Sequence, residues 1–172
     1  VTDLFPETRV DPGLDLDRRY TTPETMDLCR RMAGVDAFDL DVAADAESHW
    51  APHWYGLEQD GLGQRQLWWG RVWCNPPWSD VEPWVMKAWK SWTQGAPKCI
   101  AMLLPANRCE QYWWQELVER HRDGRGDARS LRVRLTTHFL PSRVKFGHPG
   151  NPRGVGVGSP PFGCVLLVWR LA

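Results

Sequence analysis

Val72-Trp73-Cys74-Asn75-Pro76-Pro77-Trp78-Ser79 is a short apolar run that ends on two prolines. Proline donates no ladder hydrogen bond and fixes φ, so a strand that reaches Cys74 has to stop there. Asn75 then stands at a strand end, with its side chain and the Pro76 carbonyl pointing outward. Together they offer two acceptors and one NH2 donor, a set that can grip an amino group on a planar ring. Trp78 adds a flat face on which such a ring can stack. Pro-Pro after Asn is also an ordinary turn, and the rest of the chain has to decide between the two readings.

Working outward, Cys99-Ile100-Ala101-Met102-Leu103-Leu104 is continuously apolar and closed by Pro105, as in a strand buried on both faces of a parallel sheet. Between the two strands, Ser79-Asp80-Val81-Glu82 reads as a capping box. It opens a helix with the stripe Val81, Trp84, Val85, Ala88 and Trp92, ended by Gly95. A second helix is expected from an Asn107 cap to about Arg120, carrying Tyr112, Trp113, Leu117 and Val118.

Upstream, residues 1–19 lack apolar periodicity and read as a poorly ordered arm, leaving residues 20–172 as one domain. Thr22 and Pro23 mark the N-cap and first position of a helix that Gly34 stops. In Phe38-Asp39-Leu40-Asp41-Val42-Ala43-Ala44-Asp45 the apolar positions alternate with acids, as on a half-buried strand. Asp39 and Asp41 share a face and can accept ribose hydroxyls or a ligand amino group, and small Ala43 and Ala44 leave room for it. The same pattern fits a strand edge with solvated acids. Residues 45–70 show no period, which points to a functional loop or hidden short helices, with Glu58 and Asp60 able to face a pocket.

Downstream, residues 121–130 form a basic loop, and Leu131-Arg132-Val133-Arg134-Leu135 alternates as a strand with one basic face. Residues 141–162 are rich in Gly and Pro and read as a long loop carrying Arg143, Lys145 and Arg153. Gly163 to Leu171 is a last apolar strand able to pair antiparallel with 131–139. The order of elements predicts a small α/β domain of Rossmann-like type, mostly parallel with an antiparallel C-terminal strand pair.

The total charge is zero but unevenly laid out. Residues 1–66 hold six Arg against fourteen Asp and Glu, whereas residues 120–172 hold ten Lys and Arg against two Asp. That basic third can track a phosphate backbone, or form a solvated loop. Five scattered cysteines without a CxxC argue against a disulfide framework or zinc ribbon and fit a reducing cytoplasm. His49 and His53 flank a proline and lack a third ligand, so no metal is expected. No apolar run approaches the length of a membrane span, and no signal peptide opens the chain.

Taken in order, these segments resemble the phage-type DNA N6-adenine methyltransferase (phage Dam) family. The likeness runs from Thr21 to Trp169, through Thr22-Pro23, Phe38 to Asp45 and Tyr55 to Leu62. It continues through Trp73 to Ser79, Met102-Leu103-Leu104-Pro105-Ala106, and Leu140-Pro141-Ser142-Arg143-Val144-Lys145-Phe146. The resemblance implies S-adenosyl-L-methionine as cofactor and double-stranded DNA as partner, in the cytoplasm of a bacterial host that carries the phage or prophage. Asn75 and the Pro76 carbonyl would hold the adenine amino group, Pro77 would keep the turn rigid, and Trp78 would stack on the flipped base.

Thr22, Pro23, Asp39, Asp41, Ala43, Ala44 and Asp60 would line the cofactor pocket. Arg125, Arg132, Arg134, Arg143, Lys145 and Arg153 would meet DNA. The chain departs from the family at Trp78, where Tyr is usual, and in lacking a Phe-x-Gly-x-Gly loop; residues 121–130 look like an insertion. Asn-Pro-Pro-aromatic turns also serve RNA adenine, cytosine N4 and protein glutamine. A non-catalytic nucleic-acid-binding relative is a further reading, though it would be expected to lose Asn75 or the Asp39/Asp41 pair.

Overall fold

The computed structural model describes residues 17–125, 133–149 and 160–171. Six strands form one sheet in the order β3-β2-β4-β5-β8-β6. These are β2 (Leu40–Asp41), β3 (His53–Trp54), β4 (Gly70–Cys74), β5 (Pro97–Pro105), β6 (Val133–Phe139) and β8 (Cys164–Leu171). The strands β2, β3, β4 and β5 pair in parallel, and β8 runs antiparallel to both β5 and β6. The mostly parallel Rossmann-like sheet and the antiparallel C-terminal pair are therefore as expected. One refinement concerns β5, which is parallel to β4 on one side and antiparallel to β8 on the other. Its buried run reflects layers on both faces rather than the sense of its neighbours.

Ile100 to Leu104 and Val165 to Trp169 are fully shielded, so the middle of the sheet is the core. Trp73 packs on Phe38, and Trp169 packs edge-on against Trp89 of the second helix. Many tryptophans thus serve burial, each removing a large apolar area from water.

The helix α1 (Pro23–Ala33) starts as read, with extended Thr22 at the N-cap and Pro23 locking the first turn. Its buried stripe includes Met26, Cys29 and Ala33, and Gly34 closes it at φ 67, a left-handed conformation that costs other residues more. The helix α2 (Glu82–Thr93) buries Trp84, Val85, Ala88 and Trp92. Its N-cap is Val81, with no side-chain cap. The expected capping box does not form, because the Ser79 hydroxyl is taken by Asp17 at 2.6 Å. The next helix also begins later than the Asn107 signal. Its N-cap is Gln111, α3 spans Tyr112–Trp114, and the chain then widens into a π-helical turn, Gln115–Glu119.

The region 45–70 contains no helix; it carries β3, the outer strand of the sheet, and a series of turns. A separate two-stranded ribbon joins β1 (Tyr20–Thr21) to β7 (Phe146–Gly147), pairing Tyr20 with Gly147 and Thr21 with Phe146. It anchors the segment just before α1 over the ends of β2 and β4. Asp17, Arg18 and Arg19, read from sequence as part of a loose arm, are tied onto the domain by hydrogen bonds.

Candidate active site

The strands β2 and β4 run side by side with Asp41 opposite Trp73, so their C-terminal ends open at one edge. Chain leaving β2 passes through Val42, Ala43 and Ala44, and chain leaving β4 through Asn75, Pro76 and Pro77. Between them lies a cavity of about 360 Å³, within the size range of small-ligand sites. Residues 17–21 roof it, and Asp41, Ala43, Ala44, Asp60 and Asn75 are among its walls. Crevices at the carboxyl ends of parallel strands are where open α/β sheets bind ligands.

Asp41 is 2% exposed and accepts the Trp50 amide hydrogen at 3.0 Å. Burial pushes its carboxyl up to about 7, partly opposed by the hydrogen bonds from Trp50 and Ala43. Asp39 has a different fate, although it sits two residues earlier in the same alternation. Its carboxylate accepts Arg71 Nε at 2.9 Å, Nη2 at 2.7 Å and the Arg71 main-chain amide at 2.8 Å. The Arg71 hydrogen bonds hold it at about 2. Asp39 is not a wall of the cavity, and it forms a bidentate ion pair that joins the residue just before β2 to Arg71 of β4.

Of the seven residues assigned to cofactor contact, Asp41, Ala43, Ala44 and Asp60 line the cavity, whereas Thr22, Pro23 and Asp39 do not. Thr22 is buried with its hydroxyl against that of Thr25 at 3.0 Å, and Pro23 is exposed at the helix start. Glu58 is also exposed and is not a wall.

Sequence reasoning missed the roof. Asp17 accepts the Ser79 amide at 3.0 Å, while Arg18 and the Tyr20 hydroxyl donate to Asp45 at 2.9 and 2.5 Å. Trp50 Nε1 donates to the Thr21 carbonyl at 3.1 Å. The segment thus ties the Asn75 lip to the β2 lip. Its one sequence signal is Tyr20-Thr21-Thr22, a run of strand-favouring residues too short to read as a strand.

Asn75 Nδ2 donates to the Arg19 carbonyl at 2.6 Å and to Thr21 Oγ1 at 3.3 Å. Its Oδ1 is buried and has no hydrogen-bond partner among the described residues. A buried acceptor left unpaired is costly and marks a place where a donor can be received.

Trp78 does not offer an open face. It is 6% exposed, edge-on to Phe146 at 5.3 Å and close to Phe162, and the Arg19 guanidinium lies 4.5 Å from the ring centroid. That is cation–π geometry, and a base can stack there only after the guanidinium leaves.

Of the six expected DNA-contacting cations, the four among the described residues are not all brought together. Arg143 and Lys145 are exposed beside β7, whose Phe146 touches Trp78. Arg134 is exposed on β6, at the far edge of the sheet, and Arg125 is paired with Glu119. Arg132 and Arg153 lie outside the described residues, as does Gly156-Val157-Gly158. Among the described residues no group of His, Cys, Asp and Glu could hold a metal ion, and no helix is long and apolar enough to cross a membrane.

This fold is shared with solved structures of proteins described as methyltransferases. The 23S rRNA methyltransferase ErmE superposes with a TM-score of 0.52 at 10% identity, over 90% of this chain and 70% of that one. A protein from Pyrococcus horikoshii described as a candidate RNA methyltransferase gives 0.50 at 10% identity, over 98% and 92%. At that identity the likeness is one of fold, and it defines the fold class as a Rossmann-like α/β domain. No curated protein matches the chain.

The model of the DNA N-6-adenine-methyltransferase (Dam) family matches residues 16–124, and the chain belongs to that family. The matched part includes the roof, the Asp41 strand end and the Asn75 turn. The likeness read at residues 140–146 lies beyond it.

Proposed function

We propose that the protein transfers a methyl group from S-adenosylmethionine to the N6 amino group of adenine in double-stranded DNA. The observation that carries this reading is the buried, unpaired Oδ1 of Asn75, a residue that lines the same cavity as Asp41. An exocyclic amino group has two N–H donors. Asn75 Oδ1 accepts one and the Pro76 carbonyl the other, which turns the nitrogen lone pair toward the cavity and away from the ring. Holding the nitrogen in line supplies much of the rate enhancement through proximity. Adenine and DNA enter this reading from the family's description.

The cavity's chemistry fits S-adenosylmethionine, which when bound supplies an electrophilic methyl group on a sulfonium centre. Asp41 is the buried acceptor for hydroxyl or ammonium hydrogens. Ala43 and Ala44 keep side chains out of the space, and Asp60 adds negative charge at the rim. The adenine amino group is paired inside a duplex, so the base has to turn out to reach Asn75. Displacing Arg19 from Trp78 then opens a stacking face. Arg143 and Lys145, exposed next to this turn, meet backbone phosphates.

The test is incubation of the protein with labelled S-adenosylmethionine and unmethylated duplex DNA, followed by digestion to nucleosides. N6-methyladenine is the expected product. N4-methylcytosine would keep the chemistry and change the base. Label transferred only to RNA or protein would overturn the DNA assignment.

A further inference from the structure

An asparagine amide presents a donor on one side and an acceptor on the other, and which of them meets the acceptor substrate decides whether Asn75 can work. The Nδ2 group is fully engaged by the roof, through the Arg19 carbonyl at 2.6 Å and Thr21 Oγ1 at 3.3 Å. A main-chain carbonyl can only accept. Rotating the amide by half a turn would set Oδ1 against it, so the roof dictates the orientation that leaves Oδ1 free. Thr21 is well placed to impose this. It is 3% exposed, its main chain pairs with Phe146, and its carbonyl accepts Trp50 Nε1 at 3.1 Å. Both groups that hold Nδ2 come from residues more than 50 positions before Asn75 in the chain.

We propose that Thr21 is a positioning residue, whose hydroxyl works with the Arg19 carbonyl to fix the Asn75 amide with Oδ1 toward the methyl acceptor. This rests on the reading that Asn75 holds an amino group. Thr21→Val keeps the branched shape and the strand preference but replaces the acceptor oxygen by a methyl group, leaving one Nδ2 hydrogen without a partner. Thr21→Ser restores the oxygen.

Two measurements test the proposal together. In steady-state methylation of duplex DNA, Thr21→Val is expected to lower kcat about ten-fold with KM within about two-fold, because orientation matters most in the transition state. Thr21→Ser is expected to stay within about three-fold of the wild type, consistent with a retained hydrogen bond. Equal rates for wild type and Thr21→Val would overturn the proposal, and so would a Thr21→Ser enzyme as slow as Thr21→Val.

The second measurement needs no catalysis. The Asn75 side-chain amide resonances, assigned by their loss in Asn75→Ala, should exchange with solvent at least about five-fold faster in Thr21→Val than in wild type, since one hydrogen loses its partner. Unchanged exchange would overturn the positioning role. Should the wild type transfer no methyl to DNA, the functional reading falls, and the exchange result alone decides what Thr21 does to Asn75.

Discussion

Asp39 and Asp41 are two residues apart, one just before β2 and one at its end, yet replacing each by Asn is expected to break different things. The Arg71 guanidinium grips Asp39 through two hydrogen bonds, and the Arg71 main-chain amide adds a third. A fall from the ordinary 3.8 to about 2 corresponds to a gross stabilisation of roughly 2.4 kcal/mol. The side chains are 30% and 37% exposed, so solvent screening reduces this to roughly 1 kcal/mol.

The folded pKa is depressed, so this stability is fully present above 3.8 and is lost as pH falls through about 2. Urea unfolding of Asp39→Asn is expected to show a loss of about 1 kcal/mol at pH 7 and a difference that closes toward pH 2, provided both proteins still unfold in two states. Cofactor affinity, measured by calorimetry at pH 7.5, should stay within about three-fold of wild type, because the substitution alters no wall of the cavity. A more than ten-fold loss of affinity with stability unchanged would refute the assignment of Asp39 to the ion pair and return it to the cofactor site.

Other expectations follow from the same geometry. Asp41 is raised to about 7 by burial, so the neutral carboxyl favours the folded apo protein at low pH and that contribution is lost as pH rises through about 7. Calorimetric affinity for S-adenosylmethionine should therefore increase through that range, and Asp41→Asn should flatten the rise. Arg19→Ala removes the guanidinium from Trp78, and the apparent KM for DNA is expected to fall about three-fold because less of the enzyme has its stacking face covered. A higher KM in steady-state assays would instead make Arg19 a nucleic-acid contact. A Cβ at Gly61 would lie 2.0 Å from the Val42 carbonyl oxygen, so Gly61→Ala should cost about 2 kcal/mol or more in thermal or urea unfolding. An unchanged midpoint would show that the loop beside the cavity yields freely.

Long periodic segments were legible because burial imposes their pattern. The apolar runs at Val72 to Cys74 and Ile100 to Leu104 and the stripe of α2 lie on buried faces as read. The failures are of another kind. Two-residue strands such as Tyr20–Thr21 and Phe146–Gly147 are too short to carry a period, and their pairing joins segments about 125 positions apart. Ser79 has the composition of a helix cap, but a carboxylate from residue 17 captures its hydroxyl. Asp39 and Asp41 look equivalent in sequence. What separates them is that Arg71 lies on the adjoining strand in reach of Asp39, a matter of register. Trp78 is legible by residue type, while the cation covering it, Arg19, belongs to a segment whose one signal is too short to read as a strand.

The most direct test is a single-turnover assay with protein in excess over unmethylated duplex DNA, comparing wild type with Asn75→Ala after calorimetry has established that both bind S-adenosylmethionine. The expected result is N6-methyladenine from the wild type and a rate at least a hundred-fold lower from the variant at similar cofactor affinity, in keeping with loss of a group that orients and stabilises the reacting atoms. Equal rates from the two proteins, or no methylated base from a wild type that binds the cofactor, would contradict the central role given to Asn75.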